Sequence, residues 1–170
     1  NTLLPESTKV VSTSSSNIKN NFNSEPSQEV TLKSLPYTGH CEMDKEHARI
    51  DKCLQKLVHE ATQSTVRELK CALMEHFAHE EEILVKMNFG TNTTSSISAF
   101  ESHSMDHQLI LRKIDHIIEE VKEEVSISIP QKDISKICNI IYEHGERFDS
   151  LYAEKVECMS CKQITKNMTC

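Results

Sequence analysis

Between residues 42 and 156, hydrophobic positions recur in alternating steps of three and four, the spacing of a helix face that packs in a bundle. The pattern predicts four helices, at roughly 42–60, 65–88, 99–125 and 130–156. Glycine and proline are rare, with three and four residues, which favours helices over a turn-rich β fold. We therefore predict an all-α protein, an up-down-up-down four-helix bundle.

The apolar stripes name a candidate core. Their apolar members are Met43, Ile50, Leu54 and Leu57, then Val66, Leu69, Leu73, Ile83 and Met87, then Phe100, Ile110, Ile114, Ile117 and Val121, and finally Ile134, Ile137, Ile141, Phe148 and Leu151. We expect these side chains to face the interior of the bundle.

Local signals mark the ends of the helices. Three candidate capping boxes, in which a hydroxyl and a side chain three residues on satisfy free amides, are Thr65 with Glu68, Ser98 with Glu101 and Ser128 with Gln131. Pro130 suits a first helical turn, and Gly90 suits the end of the second helix.

The two ends of the chain differ from this middle part. Residues 1–36 are rich in Ser, Thr and Asn ("STSSSNIKNNFNSEPS"), a composition that buries too little apolar surface to fold, so they are predicted to be a disordered arm or linker. The folded domain is predicted over residues 37–156. Residues 157–170 form a tail with Cys158, Cys161 and Cys170, for which a redox pair, half a zinc site and free thiols stay open. Among the seven cysteines, Cys53, Cys71 and Cys138 are predicted to be buried, reduced thiols.

Polar side chains interrupt the apolar stripes at six positions. They are His47 on the first helix, His76 and Glu80 on the second, His103 and His107 on the third, and His144 on the fourth. An unpaired buried carboxylate costs several kcal/mol and an unsatisfied imidazole about 1–3 kcal/mol, so these residues need a shared partner. A metal centre provides one. The remaining histidines, His40, His59, His79 and His116, lie off the stripes and are predicted to be surface or supporting residues.

The spacing of these residues indicates how a metal would be held. His103 and His107 lie four residues apart and can reach one ion. Asp149 follows His144 by five residues, about 140° out of phase on an ideal helix, which suits either a reach to a second ion or a local widening of the helix at Gly145. Five imidazoles and two carboxylates exceed one zinc site and suit two adjacent transition-metal ions with bridging carboxylates. Iron fits this ligand set, although zinc or manganese could bind in vitro.

Four segments carry a resemblance to a known family: "MDKEHARIDKCLQKL", "HFAHEEEILVKM", "HSMDH" and "IIYEHGERFDSLY". Their order of His, His-x-x-x-Glu, His-x-x-x-His and His-x-x-x-x-Asp resembles that of hemerythrin and its bacterial relatives. These are oxygen-binding, non-heme di-iron four-helix bundles. The resemblance covers roughly residues 40–156.

The resemblance implies a function and a role for each residue. His103, His107 and His144 would hold one iron ion, His47 and His76 the other, and Glu80 and Asp149 would bridge the pair together with an oxo or hydroxo group. The two irons (Fe2+/Fe3+) would bind dioxygen reversibly at an open position, for oxygen sensing, storage or transport. Three departures from the family are a long polar connection between the second and third helices, "NFGTNTTSSISAFES", an extended connection between the third and fourth helices, and Gly145 where relatives often carry a larger apolar residue.

Two other functions stay open at this point. One is a di-iron redox enzyme that consumes peroxide or nitric oxide, although the Glu-x-x-His pairs of ferritin-like oxidative sites are missing from the stripes. The other is a module for iron sensing or storage, in which metal binding controls folding. We expect a binding protein rather than an enzyme.

Charge and hydropathy narrow the partners. The net charge is −7, and a nucleic-acid surface would need a basic patch. No apolar run approaches the ~18 residues of a membrane span, and no signal peptide is recognisable. We therefore expect dioxygen as the ligand, no nucleic acid, no membrane contact by this chain itself and a cytoplasmic location. An upstream signalling or other domain could be tethered to the polar arm.

Overall fold

The computed structural model describes residues 30–90, 97–123 and 128–151, and these residues form an all-α four-helix bundle, as predicted. The helices are α1 (Cys41–Glu60), α2 (Gln63–Lys86), α3 (Ala99–Glu123) and α4 (Gln131–His144). A π-helix, Gly145–Asp149, continues α4 directly. The predicted ends of the third and fourth helices, at 125 and 156, lie outside the described residues, as does the tail 157–170.

The bundle closes because each helix packs against the next one in the chain and α4 packs against α1. All the predicted apolar positions of α1 are buried, as are most of those on the other helices. Leu151 is an error of the prediction, since 66% of it is exposed. On α2 the core position is Leu84, which is buried with Met43, whereas Ile83 and Met87 are only partly buried against that pair. The stripe thus shifts by one residue near the end of α2.

The predicted capping box of α3 is confirmed. The Ser98 hydroxyl accepts a hydrogen bond from the Glu101 amide at 3.0 Å, and the Glu101 carboxylate accepts one from the Ser98 amide at 2.7 Å. Two free amide groups at the start of the helix are thereby satisfied.

The predicted cap of α2 is wrong by three residues. The cap is Thr62, whose hydroxyl accepts a hydrogen bond from the Thr65 amide at 3.2 Å, and Thr65 takes the reciprocal role. Glu68, the expected partner, instead pairs with Lys56 on α1 at 2.7 Å. Both threonines have a hydroxyl group that can cap a helix. Glu68 is not available as a capping partner because its carboxylate pairs with Lys56.

The predicted capping box of Ser128 with Gln131 is also wrong. Pro130 occupies the cap position of α4, without a side-chain hydrogen bond to the helix. Ser128 instead pairs with Thr62 in an isolated antiparallel bridge. Next to it, the Ile129 amide donates to the carbonyl of Ala61 at 2.7 Å. This loop therefore ties the start of α4 to the α1–α2 connection.

Gly90 closes the turn that follows α2. The prediction that Gly90 ends the helix is wrong, because the C-cap is Met87 and Asn88, directly after it, takes the left-handed conformation with φ = 52°. Gly90 has φ = 65°, also in the left-handed region. It lies four residues beyond Lys86, the last residue of α2. A Cβ at this position would lie 2.8 Å from the Phe100 amide nitrogen, so the turn packs tightly onto α3.

Residues 30–38, which have no regular secondary structure, lie on the bundle, and we call this segment the N-terminal strap. Val30, Leu32 and Leu35 contact the core. The Lys33 amide donates to the Tyr142 hydroxyl at 3.0 Å, and that hydroxyl donates to the Lys33 carbonyl at 2.9 Å. Residues 30–36, which the sequence assigns to the polar arm, are therefore part of the packed structure. Residues 1–29 lie outside the described part of the chain.

The cysteines divide into two groups by exposure. Cys53 and Cys138 are buried, as predicted, and burial raises the pKa of Cys138 to about 11. Cys71, predicted to be buried, is exposed, because it lies outside the apolar stripe of α2. Within the described ranges no disulfide forms.

Among the described residues, no helix is both long enough and apolar enough to cross a membrane.

Candidate metal centre

The structure brings all seven residues of the predicted ligand set together inside the bundle. None of them is more than 3% exposed. Their nitrogen and oxygen atoms form two groups, and the atoms of each group lie within 4.8 Å of one another. One group is Glu80, His103, His107 and His144, and the other is His47, His76 and Asp149.

Helical spacing places the members of α2 and α3. His76 and Glu80 lie one turn apart on α2, with Nε2 and Oε2 separated by 3.8 Å. His103 and His107 repeat this spacing on α3, and their ring centroids are 4.4 Å apart. Each pair therefore projects from one helix face into the centre.

Asp149 reaches the centre because the helix widens. The π-helix begins at Gly145, directly after His144, and its wider turn brings two residues five apart to the same side. Asp149 Oδ1 lies 3.4 Å from His144 Nε2. Both arrangements that the sequence leaves open are observed together: the helix widens at Gly145, and Asp149 joins the second donor group, with His47 and His76.

The two carboxylates lie between the groups. Glu80 Oε2 is 3.1 Å from His107 Nε2 in its own group and 3.8 Å from His76 Nε2 in the other. Asp149 Oδ2 is 3.3 Å from His47 Nε2 in its own group, and its Oδ1 faces His144 across the gap. Both side chains are thus placed to be shared by the two groups.

Three carboxylate oxygens in the pocket lack a hydrogen-bond partner among the described residues. They are both oxygens of Glu80 and Oδ1 of Asp149. His107 Nε2 lies 3.1 Å from Glu80 Oε2, yet the two atoms do not form a hydrogen bond. A buried polar atom without a partner costs about 1–3 kcal/mol, and more if it is charged. A bound cation removes this cost.

Partners outside the cluster orient the imidazoles of His47, His76, His107 and His144. Each of these rings donates its Nδ1–H to an oxygen that can only accept, so its Nε2 directs a lone pair towards the centre. The four pairs are His47 with the Pro36 carbonyl at 2.7 Å, His76 with Glu46 at 3.1 Å, His107 with Glu81 at 2.8 Å and His144 with Asp106 at 2.8 Å.

The Nε2 atoms then face one another at short range. His107 and His144 approach to 3.1 Å, and His47 and His76 to 3.2 Å. In the neutral imidazoles both members of each pair present a lone pair, and neither has a proton to donate. A cation between them turns this repulsion into coordination. The donor set therefore fits one transition-metal ion in each group.

Burial keeps the central imidazoles in the neutral form that binds metals. It lowers the pKa of His103 to about 4 and that of His107 to about 2, and the neighbouring His144 adds to both effects. Burial also lowers the pKa of His76.

The carboxylates and His47 respond differently. Burial, together with the adjacent Asp149 carboxylate, raises the pKa of Glu80 well above its usual value. Burial alone would raise the pKa of Asp149 and lower that of His47, but their mutual contact reverses both effects. The pKa of Asp149 falls to about 2, and that of His47 rises above its usual value. This side of the pocket therefore favours a positive charge beside Asp149.

Aromatic rings enclose the cluster. Phe77 stacks on His107 with ring centroids 3.9 Å apart, and Phe148 stacks on His103 at 4.7 Å. These contacts fix the planes of two imidazoles and shield them from solvent.

Sequence reasoning did not identify the groups that hold the Nδ1 atoms. Glu81 directly follows Glu80 and is half-buried, and its carboxylate contacts the His107 ring of the next helix. Glu46 and Asp106 each directly precede a cluster histidine in the chain but support a histidine on another helix. Their position next to a cluster histidine could have marked them as supporting residues. Which histidine each one contacts depends on how the helices pack, which the sequence does not show.

The off-stripe histidines lie outside the cluster. His59 and His116 are exposed, and His40 is partly buried. His79 is also partly buried, and its Nδ1 contacts Glu46 at 2.8 Å, on the opposite carboxylate oxygen from His76. His79 thus reaches the cluster only through Glu46.

Comparison with protein families gives one result. The family model described as hemerythrin HHE cation binding domain matches residues 38–156, and this range includes all seven cluster residues. Neither the curated proteins nor the solved structures contain a match to the chain.

Proposed function

The chain belongs to the hemerythrin HHE cation-binding domain family, and from this membership we propose that it binds dioxygen reversibly at two iron ions held in its core. The observation that carries the proposal is the pairing of two buried donor groups around two shared carboxylates. Separate sites would not need Glu80 and Asp149 at the boundary between the groups.

Each side chain has a role in this proposal. His103, His107 and His144 would hold one iron ion, and His47 and His76 would hold the other. Glu80 and Asp149, which lie between the two groups, would be shared by both ions. Imidazole and carboxylate donors suit iron, and the partners on Nδ1 keep four of the rings in the orientation that coordination needs.

The two sides of the cluster are unequal, which supports ligand binding. One donor group contains three imidazoles and the other contains two. The side with His47 and His76 therefore has a position that the protein leaves to an external ligand. Ferrous iron in both positions would donate electrons to dioxygen when it binds and recover them when it leaves.

The protein around the cluster favours reversible binding over turnover. Phe77 and Phe148 cover the imidazoles and limit access of water. Five imidazoles and only two carboxylates give little anionic charge to stabilise highly oxidised iron. We therefore propose a binding module for oxygen sensing, storage or transport rather than an enzyme.

Oxygen cycling tests this function. The full chain is loaded with ferrous iron without oxygen, and its visible absorption is recorded before air, after air and after removal of oxygen. The proposal predicts an absorption band that appears in air and disappears when oxygen is removed, over repeated cycles. Permanent oxidation in the first exposure, or steady consumption of added peroxide above a free-iron control, would instead support a redox enzyme.

A further inference from the structure

The N-terminal strap crosses the seam between α1 and α4 directly above the smaller donor group. Its Leu35 amide donates to both carboxylate oxygens of Asp51, at 3.2 and 3.3 Å. Its Thr38 amide and hydroxyl both donate to Asp44 at 2.8 Å. Between these two attachments to α1, the Pro36 carbonyl accepts the Nδ1–H of His47 at 2.7 Å.

Gly145 provides the surface on which the strap rests. It is buried, and a Cβ added there would lie 2.9 Å from Pro36 Cδ and 3.1 Å from Leu35 Cδ2. The Pro36 ring cannot rotate away, since it is closed onto its own backbone. The same Cβ would lie 3.4 Å from Asp149 Oδ2, the carboxylate oxygen that faces His47.

We propose that Gly145 is a positioning residue for the group of His47, His76 and Asp149. By having no side chain, it lets the strap approach closely enough for the Pro36 carbonyl to orient His47. The inference rests on the proposed function, because it concerns how this group is prepared for its ion. A methyl group at position 145 displaces the strap and the carbonyl that holds His47.

The other donor group does not depend on the strap. His107 and His144 are held by Glu81 and Asp106, which belong to α2 and α3. Displacement of the strap therefore weakens one metal position and spares the other. A general loss of folding would affect both.

Four variants of the full chain separate these cases. Gly145→Ala introduces the clash, and Pro36→Ala removes the ring atom that receives it while keeping the carbonyl. The double variant combines the two substitutions, and we expect the strap to return to its place against position 145. Asn139→Ala, at an exposed position of α4, is the control for an alanine added to this helix.

Two measurements are made on each variant: amide hydrogen exchange of Lys33 and Leu35, and ferrous iron bound per chain without oxygen. In Gly145→Ala we expect the two amides to exchange at least about tenfold faster, with bound iron falling from two ions towards one. A lost ligand support lowers metal affinity about 10–100-fold. Pro36→Ala, the double variant and Asn139→Ala should retain slow exchange and two ions.

The inference is overturned if Gly145→Ala keeps slow exchange, if its exchange accelerates while both ions stay bound, or if the double variant fails to recover. Failure of the proposed function gives a different result. In that case the unaltered chain still binds two ferrous ions without oxygen but does not cycle with oxygen, and the iron counts and exchange rates of the variants still decide whether Gly145 positions the strap and His47.

Discussion

Each oriented imidazole in the cluster uses both of its nitrogen atoms. Nδ1 is fixed by an acceptor outside the centre, and Nε2 is left to face inward. The helical phase of the sequence was enough to select His76 over His79, because only one of the two falls on the apolar stripe. It could not reveal Glu46, Glu81 and Asp106, because their partners lie on other helices.

Loss of an inward-facing nitrogen should remove a metal position. We expect His76→Ala and His103→Ala to abolish the stable two-iron centre, because each removes a buried donor from one group. His79→Ala should keep it, since His79 belongs to neither donor group and contacts the Glu46 oxygen that His76 does not use. Iron content of the three purified variants checks this, with circular dichroism as a control for folding. Equal loss of iron in His79→Ala would contradict the assignment.

Loss of an outer acceptor should have a graded effect. Asp106→Ala removes the oxygen that holds His144 Nδ1, and we expect metal affinity to fall about 10–100-fold while binding persists. The matched control is Asp115→Ala, also on α3, which breaks only an ion pair with Lys70. Competition with a chelator gives both affinities. An Asp106→Ala variant that matches the control would remove Asp106 from the account.

At the scale of the elements, phase was predicted more accurately than the caps. The period of the apolar positions depends on burial over many residues, so it predicted the buried face along most of each helix, with errors near the ends, at Ile83, Met87 and Leu151. A cap depends on which of several nearby hydroxyl groups meets the first free amide. Thr62 and Thr65 both have a hydroxyl group that could cap α2, and in the folded structure Thr62 is the cap. The π-helix brings Asp149 inward. In the sequence it was indicated only by the five-residue spacing between His144 and Asp149.

The corrected caps make a direct comparison possible. Ser98→Ala removes the side chain that accepts from the Glu101 amide, and we expect it to lower the free energy of unfolding by about 1 kcal/mol. Ser128→Ala should change it by less than about 0.5 kcal/mol, because Ser128 provides no side-chain cap for α4. Urea denaturation of both variants measures the difference. A larger cost at Ser128 would revive the capping box predicted there.

At the scale of the whole molecule, the centre depends on contacts between distant parts of the chain. Lys33 and Tyr142 are 109 positions apart, yet they exchange two hydrogen bonds. The composition of residues 30–36 gave no sign of this packing, because only a few apolar side chains anchor the strap and its backbone supplies most of the polar contacts. Such contacts leave little trace in a local sequence pattern.

Metal removal should weaken the whole bundle. Without a cation, Glu80 and Asp149 stay buried close to each other, which raises the pKa of Glu80, and three of their oxygens have no hydrogen-bond partner in the part of the chain that the structure describes. A ligand present at 100 times its dissociation constant adds about 2.7 kcal/mol of stability, or roughly 10 °C in melting temperature for a domain of this size. A chelator should therefore lower the melting temperature by about that amount. The His76→Ala variant should show a smaller shift, and an equal shift would mean that the chelator acts elsewhere.

The central claim is that seven buried side chains hold a pair of iron ions, and the stoichiometry of iron tests it most directly. The full chain is equilibrated with excess ferrous iron without oxygen, freed of unbound metal, and its iron and protein are quantified. The account predicts two ions per chain. One ion or none would contradict it, because the two donor groups and their shared carboxylates would then lack the metal pair that explains their arrangement.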